Sequence, residues 1–128
     1  MGKGHTPSDL VLYLPDDKVL FAGDLVFSMN HPWVADGSIR GWETALEELR
    51  ALDATVIVPG HGPIGGKQTI VIMENYLSDL NRAAREMNEA GLGEQDASMQ
   101  PIPEEYNDWL LGKFYPSNLR FVLKQLVE

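Results

Sequence analysis

Short apolar segments that end at turns containing glycine or proline constrain the fold of this chain more than any other feature. Residues 10–14 and 19–22 are two such segments, and the Pro-Asp-Asp-Lys between them predicts a β-hairpin. A third segment, Thr-Val-Ile-Val at 55–58, follows a stretch with helical periodicity and is too short to be a helix. Strands that are apolar at nearly every position are typical of sheets covered on both faces. The pattern therefore predicts a layered α/β protein with strand–helix–strand order.

Apolar residues at helical spacing predict four helical segments, and glycine and proline mark their ends. Ser38 or a neighbour is the expected cap of the first, and Gly91 the stop of the longest. The helices are expected at about residues 39–52, 67–90, 104–111 and 117–127. A chain of 128 residues with this order predicts a single domain, 1–128, whose C-terminal helices dock on the core.

Charge and cysteine content exclude several classes of function. Asp and Glu number 19 against 10 Lys and Arg, and the resulting net charge of −9 repels nucleic-acid phosphates and anionic lipid. We therefore expect neither a nucleic-acid partner nor a membrane partner. The absence of cysteine excludes thiolate metal ligands, and no apolar run reaches the roughly 20 residues of a membrane span. The N-terminus does not look like a signal peptide, so the expected location is the cytoplasm.

Potential metal ligands stand at three of the turns. His5 and His61 lie in Gly-His-Thr-Pro and Pro-Gly-His-Gly-Pro, and Asp24 follows Gly23 at the end of an apolar strand. Glycine neighbours open space around a side chain, and imidazole together with carboxylate is the donor set of catalytic zinc and similar divalent metals. Each residue alone is equally explained as an ordinary turn residue. The conjunction of three such turns favours a metal site.

The order of these motifs resembles that of a known family. Gly-His-Thr-Pro at 4–7, Leu-Pro-Asp-Asp-Lys-Val-Leu-Phe-Ala-Gly-Asp at 14–24 and Val-Pro-Gly-His-Gly-Pro at 58–63 are similar to the second half of the metallo-β-lactamase-fold hydrolases. The resemblance implies half of the αββα metallo-β-lactamase sandwich: a short mixed sheet covered by helices, with extra C-terminal helices. It also implies that His5 binds one metal ion, His61 a second, and that Asp24 bridges the two.

The chemistry that the resemblance implies is hydrolysis by a metal-activated water. Ester, thioester and amide or lactam bonds of small molecules are the expected substrates, and no side chain is assigned a catalytic role beyond holding the metal that binds the water. Zinc is the expected cofactor, as two ions shared with a partner, with other divalent metals as the alternative.

One family motif does not occur in the sequence. The first metal-binding signature, His-x-His-x-Asp-His, is absent, and three ligands are few for a catalytic zinc site. A half sandwich would also expose an apolar sheet face. Both points predict a fragment or half-domain of such a hydrolase, completed as a homo-oligomer or by a chain that supplies the missing half. The alternative is a non-catalytic oligomerising or binding module, the remnant of such a hydrolase.

His31 is the third histidine of the chain and lies in Asn-His-Pro-Trp at 30–33. It is interpreted either as an exposed loop residue or as a substrate contact. The second interpretation follows from the resemblance, because relatives with a similar His-Pro segment place this loop near the metal site.

Overall fold

The computed structural model describes residues 4–6 and 9–126, and within them a three-stranded sheet carries helices on one face. The main elements are β1 (Leu12–Leu14), β2 (Val19–Phe27), α1 (Ile39–Arg50), β3 (Val56–His61), α2 (Gln68–Glu89) and α3 (Phe114–Leu126). Two 3₁₀ helices, Glu94–Met99 and Glu104–Tyr106, lie between α2 and α3. In this part of the chain no helix is both long enough and apolar enough to cross a membrane.

The sheet has the order β1-β2-β3, with β1 antiparallel and β3 parallel to β2. The predicted hairpin and the strand–helix–strand unit are thus confirmed, and so is the mixed α/β class. The register between β2 and β3 shifts between Phe21 and Phe27. Gly23 lies within this irregularity and has a φ of 57°, which glycine adopts without the steric cost that other residues incur. The irregularity ends where Phe27 pairs with His61.

The helices follow the predicted signals except in one segment. Ser38 caps α1, since its Oγ accepts a hydrogen bond from the Gly41 amide at 3.1 Å. The helix predicted at about 104–111 is only the short Glu104–Tyr106 turn. The chain leaves the helical path because the Leu110 backbone pairs with the loop after β2: its amide donates to the Met29 carbonyl at 3.1 Å, and its carbonyl accepts from His31 at 2.8 Å.

Only one face of the sheet is covered. Side chains on successive strand residues point to opposite faces, and those of Leu20, Ala22 and Ile57 are buried beneath α1 and α2. The opposite face, called here the open sheet face, consists of Leu12, Leu14, Val19, Phe21, Val56 and Val58. Three of its side chains, Leu12, Leu14 and Phe21, are 57%, 37% and 40% exposed. The prediction of a sheet covered on both faces is therefore wrong for the described residues, because all their helices pack on one side.

Candidate metal centre

The adjacent ends of β2 and β3 bring two of the three predicted ligands together. Phe27 and His61 are paired in the parallel ladder, and the Ser28 amide donates to the His61 carbonyl at 2.8 Å. Asp24 lies within β2, three residues before its last residue Phe27, and His61 is the last residue of β3. Because the two strands are parallel and their register is irregular here, both side chains reach the same edge of the sheet. A Cβ atom on residue 60 would overlap Oδ1 of Asp24, which makes glycine at Gly60 a requirement for this close approach.

The loop before β1 brings His5 to the same edge. The Ser38 amide donates to the Gly4 carbonyl at 2.8 Å, which ties the loop to the start of α1. A Cβ atom on Gly37 would collide with that same carbonyl, so the contact depends on glycine there. The next residue, Thr6, donates through its amide and its hydroxyl to the two carboxylate oxygens of Asp9, at 3.1 and 3.0 Å. These bonds fix the backbone on either side of His5.

Asp24 lies between the two histidines and presents a different oxygen to each. Nε2 of His5 is 3.7 Å from Oδ2, and Nε2 of His61 is 3.4 Å from Oδ1. Both distances exceed an ordinary hydrogen bond. They are close to the roughly 3.4 Å that separates two donors bound to one zinc ion at a tetrahedral angle. The structure thus places His5, Asp24 and His61 together, while their role as metal ligands stays a prediction.

The donor atoms fit a divalent metal but leave each position short of ligands. Nδ1 of His5 is buried and has no hydrogen-bond partner among the described residues, an unusual and costly state for a ring nitrogen. Asp24 and His61 are about half exposed, so the centre is open to solvent on one side. No group of three or more histidine, cysteine, aspartate or glutamate side chains in residues 4–6 and 9–126 forms a complete metal site. The arrangement is better described as two half-sites of two donors each, with Asp24 common to both.

Aromatic rings surround the two imidazoles. The Phe27 ring stacks on His61, with centroids 4.6 Å apart and an interplanar angle of 15°, and lies 5.5 Å from the His5 ring. Trp42 contacts His5 edge-on at 5.1 Å and is itself anchored, since its Nε1 donates to the Leu25 carbonyl at 2.8 Å. The inner side of the centre is therefore apolar and the outer side is open.

His31 is fully buried, so its interpretation as an exposed loop residue is wrong. Its Nε2 lies 3.1 Å from the Tyr106 carbonyl and its Nδ1 lies 2.9 Å from the Tyr76 hydroxyl. A carbonyl only accepts, so Nε2 donates and Nδ1 accepts from Tyr76. Burial lowers the pKa of His31, against the smaller opposing effect of the Tyr106 hydrogen bond. With both nitrogens engaged the geometry favours a structural role, and the substrate contact stays a prediction.

A hydrogen-bond network around His31 is the feature that sequence reasoning misses. Asn118 donates to the Tyr76 hydroxyl at 3.1 Å and to the Pro32 carbonyl at 2.8 Å, and it accepts from the Val34 amide at 3.2 Å. The available signal is that Asn118 is a polar residue next to the apolar stripe of the last predicted helix. A buried amide of this kind needs several partners, so the neighbouring loop must supply backbone groups.

Two cavities lie on the side of the molecule formed by α2 and the C-terminal segments. One, of about 530 Å³, is bordered by Asp79, Glu86 and Tyr115, and the other, of about 430 Å³, by Ile72 and Trp109. Neither is lined by His5, Asp24 or His61. The edge that carries these three residues is open rather than enclosed, since the Asp24 and His61 side chains are about half exposed.

Comparison with known proteins agrees with the fold and identifies the family that the chain resembles. Residues 1–61 match the model of the metallo-beta-lactamase superfamily. A beta-lactamase-like protein 2 homolog of Caenorhabditis elegans is 29% identical over 98% of this chain and 42% of its own length. A metallo-beta-lactamase type 2 of Bacillus sp. (strain 170) is 39% identical over 52% of this chain and 28% of its own. The solved metallo-beta-lactamase from Pontibacter korlensis superposes with a TM-score of 0.55 and 36% identity, over 60% of this chain and 38% of that one. The chain thus spans less than half the length of each.

Proposed function

Because the chain belongs to the metallo-β-lactamase superfamily of hydrolases, we propose that it is a half-domain of a metal-dependent hydrolase whose site a second copy or another chain completes. The observation that carries the proposal is the position of the Asp24 carboxylate, which presents one oxygen to His5 and the other to His61. No other histidine of the chain lies in such a position, since both ring nitrogens of His31 have protein partners.

His5, Asp24 and His61 are the residues that would hold zinc, which when bound supplies an activated water and polarises a substrate carbonyl. Asp24 provides carboxylate oxygens between two imidazole rings, a donor combination that favours a divalent cation. The Phe27 ring shields the inner side of the centre, while the exposed sides of Asp24 and His61 leave room for a substrate. Small molecules with an ester, thioester or amide bond are the proposed substrates.

A partner is proposed for two independent reasons. Each half-site has two protein donors, whereas catalytic zinc ordinarily has three. The open sheet face exposes large apolar side chains side by side, and Leu12 and Phe21 form a directly paired couple on it. A second β-layer packed on this face would remove that apolar surface from water, and the same layer would lie beside the edge that carries the ligands.

A non-catalytic binding module is the second candidate, and the two-donor half-sites are the observation that favours it. If the protein is such a module, its half of the sandwich and its open sheet face serve only to bind a second copy or another protein. Metal content separates the two candidates, because the module requires none.

Native mass spectrometry of the purified protein tests the proposal, since one spectrum gives both the assembly state and the number of bound metal ions. We expect an assembly of two copies, or of this chain with a second polypeptide, that carries zinc. Leu12→Glu places a charge on the open sheet face, and we expect it to dissociate the assembly and to release metal. The surface variant Glu47→Lys, on the exposed side of α1, is the matched control and should change neither.

Each other outcome of this experiment has a defined meaning. A metal-free assembly would support the binding module and contradict the hydrolase. A zinc-loaded monomer would contradict the need for a partner while leaving the metal centre intact.

A further inference from the structure

Among the described residues, Phe27 is the aromatic side chain whose ring lies against both candidate metal-binding imidazoles. It stacks on His61 at 4.6 Å and lies at 5.5 Å, tilted by 53°, from His5. Its own position is fixed, because it is 5% exposed and its backbone is paired with His61 in the parallel ladder. One rigid ring therefore lies against two side chains that come from different parts of the chain.

Histidine ligands are ordinarily oriented by a hydrogen bond from the ring nitrogen that does not bind metal. His5 lacks this bond within the described structure, since its buried Nδ1 has no partner. What contacts its ring instead is Phe27 on one side and Trp42 on another. Packing against aromatic rings thus takes the place of hydrogen bonding in holding this imidazole.

We infer that Phe27 is a positioning residue, which sets the orientation of both imidazoles before metal binds. The inference rests on the proposed function, because it assigns Phe27 to the same metal centre. An imidazole that turns freely about its side-chain torsions loses that freedom on binding metal, and this loss weakens binding. Phe27 restricts the two rings in advance and so raises affinity for the metal without touching it.

The test compares Phe27→Leu with Phe121→Leu and Phe27→Tyr. The Phe27→Leu variant keeps an apolar side chain but removes the flat ring, and we expect zinc affinity, measured by competition with a chelator, to fall by at least about tenfold. Phe121→Leu makes the same change on α3, at a ring that packs against the core and has no ring contact with either histidine among the described residues, and it should leave the affinity unchanged. Phe27→Tyr retains the ring and should restore most of the affinity.

A second readout uses the metal-free protein and needs no substitution. The His61 ring protons should show an upfield ring-current shift and nuclear Overhauser contacts to Phe27 in its NMR spectrum, and the His5 ring should show contacts to Phe27. Loss of zinc affinity in Phe27→Leu alone, together with these contacts, supports the inference.

Unchanged zinc affinity in a folded Phe27→Leu protein, or the absence of the contacts, overturns the inference while the metal centre stands. A parent protein that binds no zinc instead overturns the proposed function itself. The two failures are therefore distinguishable.

Discussion

The chain has three histidines, and two of them differ from the third in the groups that face their ring nitrogens. His5 and His61 flank the carboxylate of Asp24 at an edge that is partly open to solvent. His31 is buried among aromatic rings, and protein groups satisfy both of its nitrogens. A histidine with an unpaired nitrogen beside a carboxylate is a candidate ligand, whereas a buried and fully paired one contributes to stability. Residue type and local sequence do not make this distinction, but the partners of the ring nitrogens do.

The largest expected difference between the two kinds of histidine is in the free energy of unfolding that is lost when each is replaced by alanine. Replacing His31 by alanine leaves a cavity and deprives the Tyr76 hydroxyl and the Tyr106 carbonyl of their partner. We expect the free energy of unfolding, measured by urea titration of the metal-free protein, to fall by about 3 kcal/mol.

His61→Ala provides the comparison, because that side chain is half exposed. Its loss in the same titration should stay within about 1 kcal/mol. Equal losses for the two variants would show that the distinction between a ligand and a structural histidine is mistaken.

The pH dependence of stability should carry the signature of His31. In the unfolded chain His31 takes up a proton near its ordinary value of 6.5, whereas burial lowers its pKa in the folded protein. The unfolded state therefore binds more protons below about pH 6.5, and the free energy of unfolding falls as the pH is lowered, by at most about 1.4 kcal/mol per pH unit. Above pH 6.5 this contribution is fully present and constant.

Urea titrations of the metal-free protein between pH 7 and 5 check this sign. His31→Gln retains one donor and one acceptor but does not titrate, so its stability should depend less steeply on pH than that of the parent. His5 and His61 are present in both proteins and their effects cancel in the difference. If the free energy of unfolding depended on pH equally steeply in the parent and in His31→Gln, His31 would not be the cause of the pH dependence.

A smaller loss of stability is expected when the Tyr106 hydroxyl, at the outer end of the hydrogen-bond network around His31, is removed. The Tyr106 hydroxyl donates to Asp79 at 2.5 Å, and burial together with this carboxylate raises the pKa of Tyr106. In Tyr106→Phe the carboxylate keeps its ion pair with Arg82, so we expect a loss of about 1 kcal/mol by thermal or urea unfolding.

Tyr13→Phe is the matched control for that prediction. Its hydroxyl donates to the Asp53 carbonyl at an exposed position, and water replaces that partner at little cost. A loss in Tyr13→Phe as large as that in Tyr106→Phe would mean that the network has no special contribution.

Local rules in the sequence account for most of the fold and for the ligand positions. The hairpin, the Ser38 cap and the end of α2 before Gly91 follow from short-range preferences that tertiary contacts support rather than oppose. The meeting of Asp24 with His61 follows from the parallel pairing of β2 with β3, whose register is irregular around Gly23.

Three features could not be predicted from the sequence because they depend on contacts between distant segments. The helix predicted near residue 110 is replaced by pairing with the loop after β2, a competition that helical periodicity does not reveal. The apolar residues of β1 predict that the strand is buried, but they do not predict which element buries it. In the described part of the chain no helix packs on the open sheet face, and Leu12 and Phe21 are exposed. The engagement of His31 likewise requires Tyr76 and Tyr106, which lie 45 and 75 residues away.

Zinc binding by a matched pair of aspartate variants tests the central claim most directly. Asp24→Ala removes the carboxylate that both half-sites share, and Asp53→Ala removes one that is 76% exposed and pairs only with Lys18 among the described ion pairs. Equilibrium dialysis of the purified assembly, followed by metal analysis, should show that Asp24→Ala loses the bound zinc while Asp53→Ala retains the parental amount. Equal zinc content in the two variants, or none in the parent, would contradict the assignment of His5, Asp24 and His61 as a metal centre.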